Sequence, residues 1–287
     1  MRSLSFRPLL SLIKFNVSVA VTFTAVTGYV VYAGQLDIHT IQLAIGVFIL
    51  AAGSGALNEF QERKYDARMA RTSQRPIPTG KISAINSLLI SLALIFEGLF
   101  LLNAAFGHVT TLLGLFNIFW YNGLYTHLKR ITPFAVVPGS LVGAIPVFMG
   151  WSAAGGNPFS GSIIYIAFFL FIWQVPHFWL LMLKYGEEYK AAGFPTINET
   201  INPHSLRIII YTWIIATSMS SIMIPLFLAN LSWSFFTLIF ILNLTFIGVF
   251  TKLSFGRISE INLKKSFISI NVYMLVFMVM LIVFHLI

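Results

Sequence analysis

The sequence predicts an all-α membrane protein with nine transmembrane helices in one bundle. Of its 287 residues, 57% are hydrophobic and only 9% are charged, and long apolar runs recur along the whole length. In a typical soluble domain, about a quarter of the residues are charged, so this composition excludes an ordinary soluble protein. With the spans given below, all 18 lysines and arginines also fall on one side of the bundle. We expect residues 1–287 to form a single domain.

Nine apolar segments are long enough to cross a membrane as helices. The first follows basic residues, as in a signal peptide, but its apolar run from Phe15 to Tyr32 is long enough to span the bilayer. Clusters of Gly, Pro, Asn and charged residues separate the segments. The predicted spans cover residues 13–33, 40–58, 84–105, 108–126, 133–153, 161–183, 207–229, 231–251 and 266–287.

The placement of the cations tests this number of spans. With nine spans, every lysine and arginine lies in the N-terminal segment or in alternate loops, whereas a wrong number would scatter them over both sides. By the positive-inside rule, the N-terminus is then cytoplasmic and the C-terminus lies outside. The net charge of +9 suits anionic lipid headgroups or a polyanionic ligand better than nucleic acid. Because there is no cysteine, disulfides and thiolate metal sites are excluded.

A row of polar residues directly after the second apolar run carries the strongest functional signal. Asn58, Glu62 and Asp66 are spaced four apart, so on a helix they stay within an arc of roughly 80°. Carboxylates bind divalent metal ions, and nearby lysines and arginines bind phosphate. At the mouth of a membrane span, this combination suggests a diphosphate-bearing lipid as ligand. The interleaved cations are Arg63, Lys64, Arg68, Arg71 and Arg75.

A second acidic cluster, Glu187 and Glu188, follows the sixth span on the same predicted side. Together with Glu59, Glu62 and Asp66 it accounts for more than half of the nine carboxylates. Two such clusters favour one or more Mg²⁺ ions bridging a diphosphate, because Mg²⁺ binds through a few carboxylates plus substrate oxygens. The alternative is that these acids only balance neighbouring cations in solvated loops.

Cations on this side could neutralise a leaving diphosphate. The alternative is that positive charges beside cytoplasmic helix ends need no ligand. The candidates are Arg71, Arg75, Lys129, Arg130, Lys184 and Lys190.

Some groups inside the spans have more than one interpretation. His177 in the sixth span could be a ligand, a base or a histidine satisfied within the bundle. Glu97 in the third span could be functional, or a protonated carboxyl hydrogen-bonded inside the bundle. Aromatic rings could line an isoprenoid cavity and stabilise an allylic cation, or simply pack. These rings are Trp120, Tyr121, Tyr125, Trp151, Trp173, Phe178 and Trp179.

Several strings of the sequence resemble the UbiA-type intramembrane prenyltransferases. They are Asn58 with Glu62 and Asp66, RTSQRP at 71–76, YTHLKRITP at 125–133, GAIPVFMGW at 143–151 and WQVPHFWLLMLKYGEEYKAAGFP at 173–195. These strings cover spans two to six at family-like distances. The RTxxRP and WQxPHFW strings are similar to those of the branch that farnesylates haem.

The resemblance implies a nine-helix bundle with a large central cavity open to the cytoplasmic side. It also implies Mg²⁺-dependent farnesyl transfer from farnesyl diphosphate to haem B, in a bacterial cytoplasmic membrane. The lipid bilayer and a downstream haem-modifying enzyme or terminal oxidase are the further implied partners. The implied metal and diphosphate site is Asn58, Glu62, Asp66, Glu187 and Glu188, with the four carboxylates as metal ligands. The implied diphosphate contacts are Arg71, Arg75, Lys129 and Arg130, and we expect His177, Trp173 and Tyr125 at the acceptor.

Some positions depart from the family pattern, and two other functions explain part of the sequence. Glu62, Glu187 and Glu188 stand where the family usually has Asp, and Ala135 stands where the haem branch usually has Asn. A related prenyltransferase acting on a planar aromatic quinone precursor would use the same donor site. A transporter of an anionic lipid or metabolite would explain the many helices and the one-sided charge, but neither the paired acidic clusters nor the specific strings.

Overall fold

The computed structural model of the protein describes residues 6–228, 231–255 and 260–287, and every regular element in these ranges is helical. The α-helices in chain order are α1 (Phe6–Leu12), α2 (Phe15–Ala33), α3 (Ile38–Asp66), α4 (Ala84–Phe106), α5 (His108–Ile118), α6 (Thr126–Leu128), α7 (Val136–Gly139), α8 (Leu141–Ala153), α9 (Gly161–Ala191), α10 (Ile197–Thr200), α11 (Pro203–Met223), α12 (Trp233–Phe255) and α13 (Glu260–Leu286). A π-helical turn, Phe119–Tyr125, joins α5 to α6. Short 3₁₀ turns precede α7 and follow α11.

Within the described ranges, eight helical segments are long and apolar enough to cross a membrane. They match every predicted span except the fourth, at 108–126. That stretch is helical, but the π-helical turn divides it into shorter pieces. The predicted all-α membrane fold is confirmed, while the number of nine spans stays a prediction. Arg2 and Arg257, which contribute to the charge pattern, lie outside the described residues.

Two helices continue past the ends of their predicted spans. The second span was predicted to end at residue 58, but α3 continues to Asp66. The sixth was predicted to end at residue 183, but α9 continues to Ala191, with a kink at Tyr185 (φ −117°, ψ 16°). Both acidic clusters therefore lie in the last turns of helices rather than in loops.

Close helix packing holds the N-terminal half of the bundle together. A Cβ added to Gly150 of α8 would lie 1.7 Å from the carbonyl oxygen of Ala25 in α2. One added to Gly98 of α4 would lie 2.7 Å from the backbone nitrogen of Leu50 in α3. In lipid, the hydrophobic effect does not drive helices together. Much of the attraction therefore comes from close van der Waals packing, which small residues such as these glycines allow.

Hydrogen bonds join the C-terminal helices. Tyr273 of α13 donates to Ser221 of α11 at 2.8 Å, and Ser221 donates to Oδ1 of Asn243 in α12 at 3.0 Å. All three side chains are buried. The indole N–H of Trp173 in α9 donates to the carbonyl oxygen of Ile270 in α13 at 3.0 Å. These bonds fix α9 against the last three helices.

The outer surface of the bundle is apolar, as lipid contact requires. Phe96 and Phe100 on α4, for example, are 71% and 58% exposed. Glu97 lies on the same exposed face of α4. Of the two interpretations of Glu97, a carboxyl that is hydrogen-bonded inside the bundle is therefore wrong, because Glu97 is exposed on the outer face of α4.

Candidate active site

A cavity of about 350 Å³ lies between α2, α3, α5, α8 and α9. One end of the cavity is polar and charged. Its other walls are largely apolar and include Val47, Leu50 and Met149. A molecule with an anionic head and a long apolar tail matches this division. The polar end is lined by Lys14, Asn58, Glu62, Asp66, Arg71, Arg75 and Lys129.

Asn58, Glu62 and Asp66 form a row along the last turns of α3, here called the α3 row. Their side chains line the cavity, although the residues are only 1%, 5% and 1% exposed. Because α3 runs without interruption to Asp66, the four-residue spacing places all three on one face. The sequence spacing thus predicted their common orientation.

Two cations pair with the carboxylates of the α3 row. Lys129, in the segment after α6, forms a salt bridge with Glu62. Nη1 of Arg75, in the loop after α3, lies 2.7 Å from Oδ2 of Asp66. Burial is the largest single influence and lowers the pKa of each cation, but the paired carboxylate and the other acidic groups nearby together raise it, so both pKa values lie above their ordinary range. Both cations therefore keep their charge beside the cavity.

Lys14 contacts Asn58, the one uncharged member of the α3 row. Its ammonium donates to Oδ1 of Asn58 at 2.5 Å and to the hydroxyl of Tyr121 at 3.3 Å. Among the described residues it is the one non-glycine residue with a positive φ (48°), between α1 and α2. Burial, followed by repulsion from Arg75, lowers the pKa of Lys14 to about 7. A left-handed backbone and a buried amine both oppose folding, so their presence here points to a role in the site.

The α3 row offers oxygen atoms that suit Mg²⁺. Oδ1 of Asp66 is buried and accepts no hydrogen bond, and Glu62 presents a second carboxylate one turn away. Within the described part of the chain, no group of three or more Asp, Glu or His side chains could hold a metal ion. Mg²⁺ commonly uses only one or two carboxylates, with waters and substrate phosphates as its other ligands. Glu62 and Asp66 fit a partial site of this kind.

Glu187 and Glu188 do not line the cavity. Oε2 of Glu188 accepts a hydrogen bond from the backbone N–H of Arg71 at 2.8 Å, and Glu187 is exposed. The Arg71 guanidinium lies 3.4 Å from the hydroxyl of Tyr189 and over the ring of Tyr185 at 5.1 Å. The loop after α3 is thus attached to the end of α9, and the two acidic clusters do not form one metal-binding group.

Three other predicted cations lie outside the cavity lining. Arg130 donates from Nη2 to the carbonyl oxygen of Gln61 at 3.0 Å. Lys184 lies over a neighbouring aromatic ring of its own helix. Lys190 pairs with Glu199 at 3.0 Å, and both side chains are about half exposed (57% and 47%). The last pair is an ordinary surface ion pair, which contributes little to stability.

Of the three residues predicted at the acceptor, only Tyr125, in the π-helical turn, lines the cavity. Trp173 is hydrogen-bonded to Ile270 of α13, and the centre of the His177 ring lies 5.0 Å from the centre of the Trp173 ring. Nδ1 of His177 is buried without a hydrogen-bond partner. From the same part of α9, the cavity is instead lined by Gln174 and Phe178. Single π turns inside α-helices are frequent at functional sites, which fits the position of Tyr125.

Lys14 and Gln174 are not among the site residues predicted from the sequence. Lys14 counts there only as an N-terminal cation. Its position directly before the apolar run that begins at Phe15, on the predicted side of the α3 row, is the signal that could have found it. For Gln174 the signal is a carboxamide inside an apolar span. A Cβ on Gly143 would lie 1.9 Å from Oε1 of Gln174, so the glycine makes room for this side chain.

Comparison with known proteins relates this geometry to one family. A model of the UbiA prenyltransferase family matches residues 20–283. The chain is 39% identical over 222 residues to the protoheme IX farnesyltransferase of Geobacter sulfurreducens, covering 77% of this chain and 79% of that protein. It is 32% identical over 284 residues to the protoheme IX farnesyltransferase of Bdellovibrio bacteriovorus, covering 93% and 92%. The solved structure of a UbiA homolog from Archaeoglobus fulgidus, bound to GPP and Mg²⁺, has the same fold, with a TM-score of 0.69 and 16% identity over 96% of this chain and 99% of that chain.

Proposed function

Because the chain belongs to the UbiA prenyltransferase family, we propose that it transfers the farnesyl group of farnesyl diphosphate to a vinyl group of protohaem IX (haem B). The reaction consumes one water and gives diphosphate and haem O, whose new substituent is a hydroxyethylfarnesyl group. Relatives that carry the name protoheme IX farnesyltransferase are 32% and 39% identical and match over most of their length. This similarity supports both the donor and the acceptor.

One observation carries the proposal: a row of oxygen ligands faces three cations at one end of an apolar cavity. Lys129 and Arg75 pair with the two carboxylates of the α3 row, and Lys14 donates to Asn58. A metal-bound diphosphate would offer each group a new partner. The carboxylates would bind the metal, and the cations would bind phosphate oxygens. The apolar remainder of the cavity suits the isoprenoid tail.

In this proposal Glu62 and Asp66 would hold Mg²⁺, and Glu187 and Glu188 would complete the site when the donor binds. The bound ion supplies electrostatic stabilisation to the departing diphosphate. A solved structure of the same fold is bound to Mg²⁺, which supports Mg²⁺ as the ion. Glu188 must first leave the backbone N–H of Arg71. We expect the kink at Tyr185 to give the end of α9 this freedom.

The cations of the site stabilise the negative charge that develops on the leaving diphosphate. Lys14, Arg75 and Lys129 line the cavity directly, so their charges act in surroundings from which water is largely excluded. Arg71 lines the same end, and Arg130 lies on the adjoining segment. We assign all five to the diphosphate.

The aromatic and apolar walls protect the allylic cation and hold the acceptor. The rings of Tyr121 and Tyr125 line the cavity, and the faces of such rings attract a cation. We place the haem on the α9 side, near Tyr125 and Gln174. His177 and Trp173 keep their assignment to acceptor binding. The unpartnered Nδ1 of His177 supports it for that ring.

We further propose that the protein lies in the bacterial cytoplasmic (inner) membrane, with its N-terminus and the charged end of the cavity on the cytoplasmic side and its C-terminus outside. The one-sided distribution of lysine and arginine in the sequence supports this orientation. The product would pass to a downstream haem-modifying enzyme or a terminal oxidase.

The test is chromatography with mass detection of haem from cells that express the chain, cells with an empty vector and cells that express Asp66→Ala. We expect a more hydrophobic haem, heavier by a farnesyl group and a hydroxyl group, only with the intact protein. Correctly inserted protein that yields no new haem would contradict haem as the acceptor. The aromatic-acceptor reaction would then be the next to test, with attention to Ala135, which lines the cavity.

A further inference from the structure

The apolar end of the cavity is closed by a packed part of the core. Val47, Leu50 and Met149 line the cavity and are 1%, 4% and 1% exposed. They belong to one cluster of buried side chains with Leu43 and Ile145, which do not line it. Protein cores are packed as densely as organic crystals, so this cluster has no room for a further chain. An apolar tail that enters from the charged end must stop here.

Gly114 of α5 allows this end wall to lie as far back as it does. The residue lines the cavity, and a Cβ added to it would lie 2.8 Å from Cδ2 of Leu50 and 3.1 Å from Cε of Met149. Both atoms are ends of flexible side chains. A larger residue at 114 would therefore push them into the cavity, which is the nearest empty space.

The depth of the cavity matches a donor with three isoprene units. At a rise of about 1.5 Å per residue, Leu50 lies about 18 Å from Glu62 and about 24 Å from Asp66 along α3, and so about 21 Å from a point midway between these two proposed metal ligands. An extended chain covers about 3.8 Å in three bonds, so an isoprene unit of four chain bonds adds about 5 Å. With about 5 Å for the diphosphate, three units need about 20 Å and four units about 25 Å.

We infer that Leu50, Gly114 and Met149 form a stop that selects the length of the isoprenoid donor, favouring three units over four. The inference rests on the proposed use of an isoprenoid diphosphate, but not on haem as the acceptor. In a fitted apolar pocket, a single methylene changes selectivity about tenfold or more. A whole extra isoprene unit that meets the stop must fold back or displace the core.

The experiment measures competition among geranyl, farnesyl and geranylgeranyl diphosphate for the purified full chain in detergent with Mg²⁺ and no acceptor. The unaltered protein binds the farnesyl donor at least about tenfold more tightly than the geranylgeranyl donor. Met149→Ala opens the stop and lowers this ratio about tenfold, whereas Gly114→Val moves the preference toward the geranyl donor. If Gly114→Val does not fold, Gly114→Ala gives the same test with a smaller shift.

Ile145→Ala is the matched control, because Ile145 lies one turn earlier on α8 in the same cluster but does not line the cavity. It leaves the ratios unchanged. The inference is overturned if Ile145→Ala shifts the ratios as Met149→Ala does, or if both cavity variants bind the three donors in the original ratios. The expected ratios without any farnesylated haem would overturn only the proposed acceptor. Failure of all three donors to bind would overturn the inference and the proposed function together.

Discussion

The two acidic clusters carry similar side chains, but only one of them is built into the cavity. The α3 row is at most 5% exposed, lines the cavity and faces three cations. On α9, Glu187 is exposed, and Glu188 accepts a backbone hydrogen bond from Arg71 outside the cavity lining. The first cluster lies on an unbroken helix, while the second follows the kink at Tyr185.

Spacing and helix continuity explain this difference. Side chains four residues apart share a face, whereas consecutive ones diverge by about 100°. The α3 row is therefore oriented before any ligand binds, and Glu187 and Glu188 cannot both point in that direction. This difference favours a site with a fixed half, the α3 row, and a movable half, Glu187 and Glu188, which joins the fixed half when the donor binds.

The largest expected effect comes from the fixed half. Asp66→Asn keeps a side-chain oxygen for Arg75 but removes the charge that would hold the metal. We expect haem farnesylation in isolated membranes to fall about 10³-fold, as it does when a preorganised electrostatic group is lost. Glu199→Gln, in the exposed pair with Lys190, should stay within about twofold. An Asp66→Asn enzyme with most of its activity would contradict the role of the α3 row.

The movable half is tested by Glu188→Gln. Glutamine still accepts a hydrogen bond from the N–H of Arg71, so the attachment of the loop survives while the metal ligand is lost. We expect turnover to fall about 10- to 100-fold, with a higher Mg²⁺ concentration needed for half-maximal rate. An unchanged Mg²⁺ requirement would mean that Glu188 only attaches the loop. The two halves would then differ in function as well as in position.

The parts of the protein that the sequence predicted depend on local patterns. Apolar runs of span length indicate membrane helices directly, and a four-residue spacing defines a helix face. Hydropathy marks only the stretch that crosses the bilayer, so it could not show that α3 and α9 continue to Asp66 and Ala191. Nothing in the pattern of residues 119–125 marks the π-helical turn that divides the fourth predicted span.

The contact between Lys14 and Asn58 is different, because it depends on tertiary structure. It requires a left-handed turn at a lysine between α1 and α2, without the glycine or asparagine that usually signals one. It also requires α2 and α3 to pack side by side. Placing Trp173 and His177 beside the cavity rather than in its lining depends in the same way on how α9 is rotated against α13.

Lys14 therefore offers a sharper test of the fixed half. Lys14→Ala removes a charged donor from Asn58, and we expect about tenfold weaker binding of farnesyl diphosphate. Lys14→Arg should keep part of the affinity, because the charge remains. Arg7→Ala is the control, since Arg7 is an exposed cation on α1. If Arg7→Ala and Lys14→Ala weaken the binding of farnesyl diphosphate equally, Lys14 acts only through the general positive charge of this side and not through its contact with Asn58.

The smallest expected effect is that of Glu187→Gln. Glu187 is exposed and points about 100° away from Glu188, so only one of the two can take a direct metal position when the end of α9 moves. Mg²⁺ retains several waters, and a carboxylate that reaches it through water contributes less than a direct ligand. We therefore expect turnover to fall about threefold, within the range of exposed charge pairs. If Glu187→Gln instead matches Glu188→Gln in rate and Mg²⁺ requirement, the helix end must unwind on binding so that both carboxylates reach the metal, and the second cluster would then be as closely built into the bound site as the α3 row.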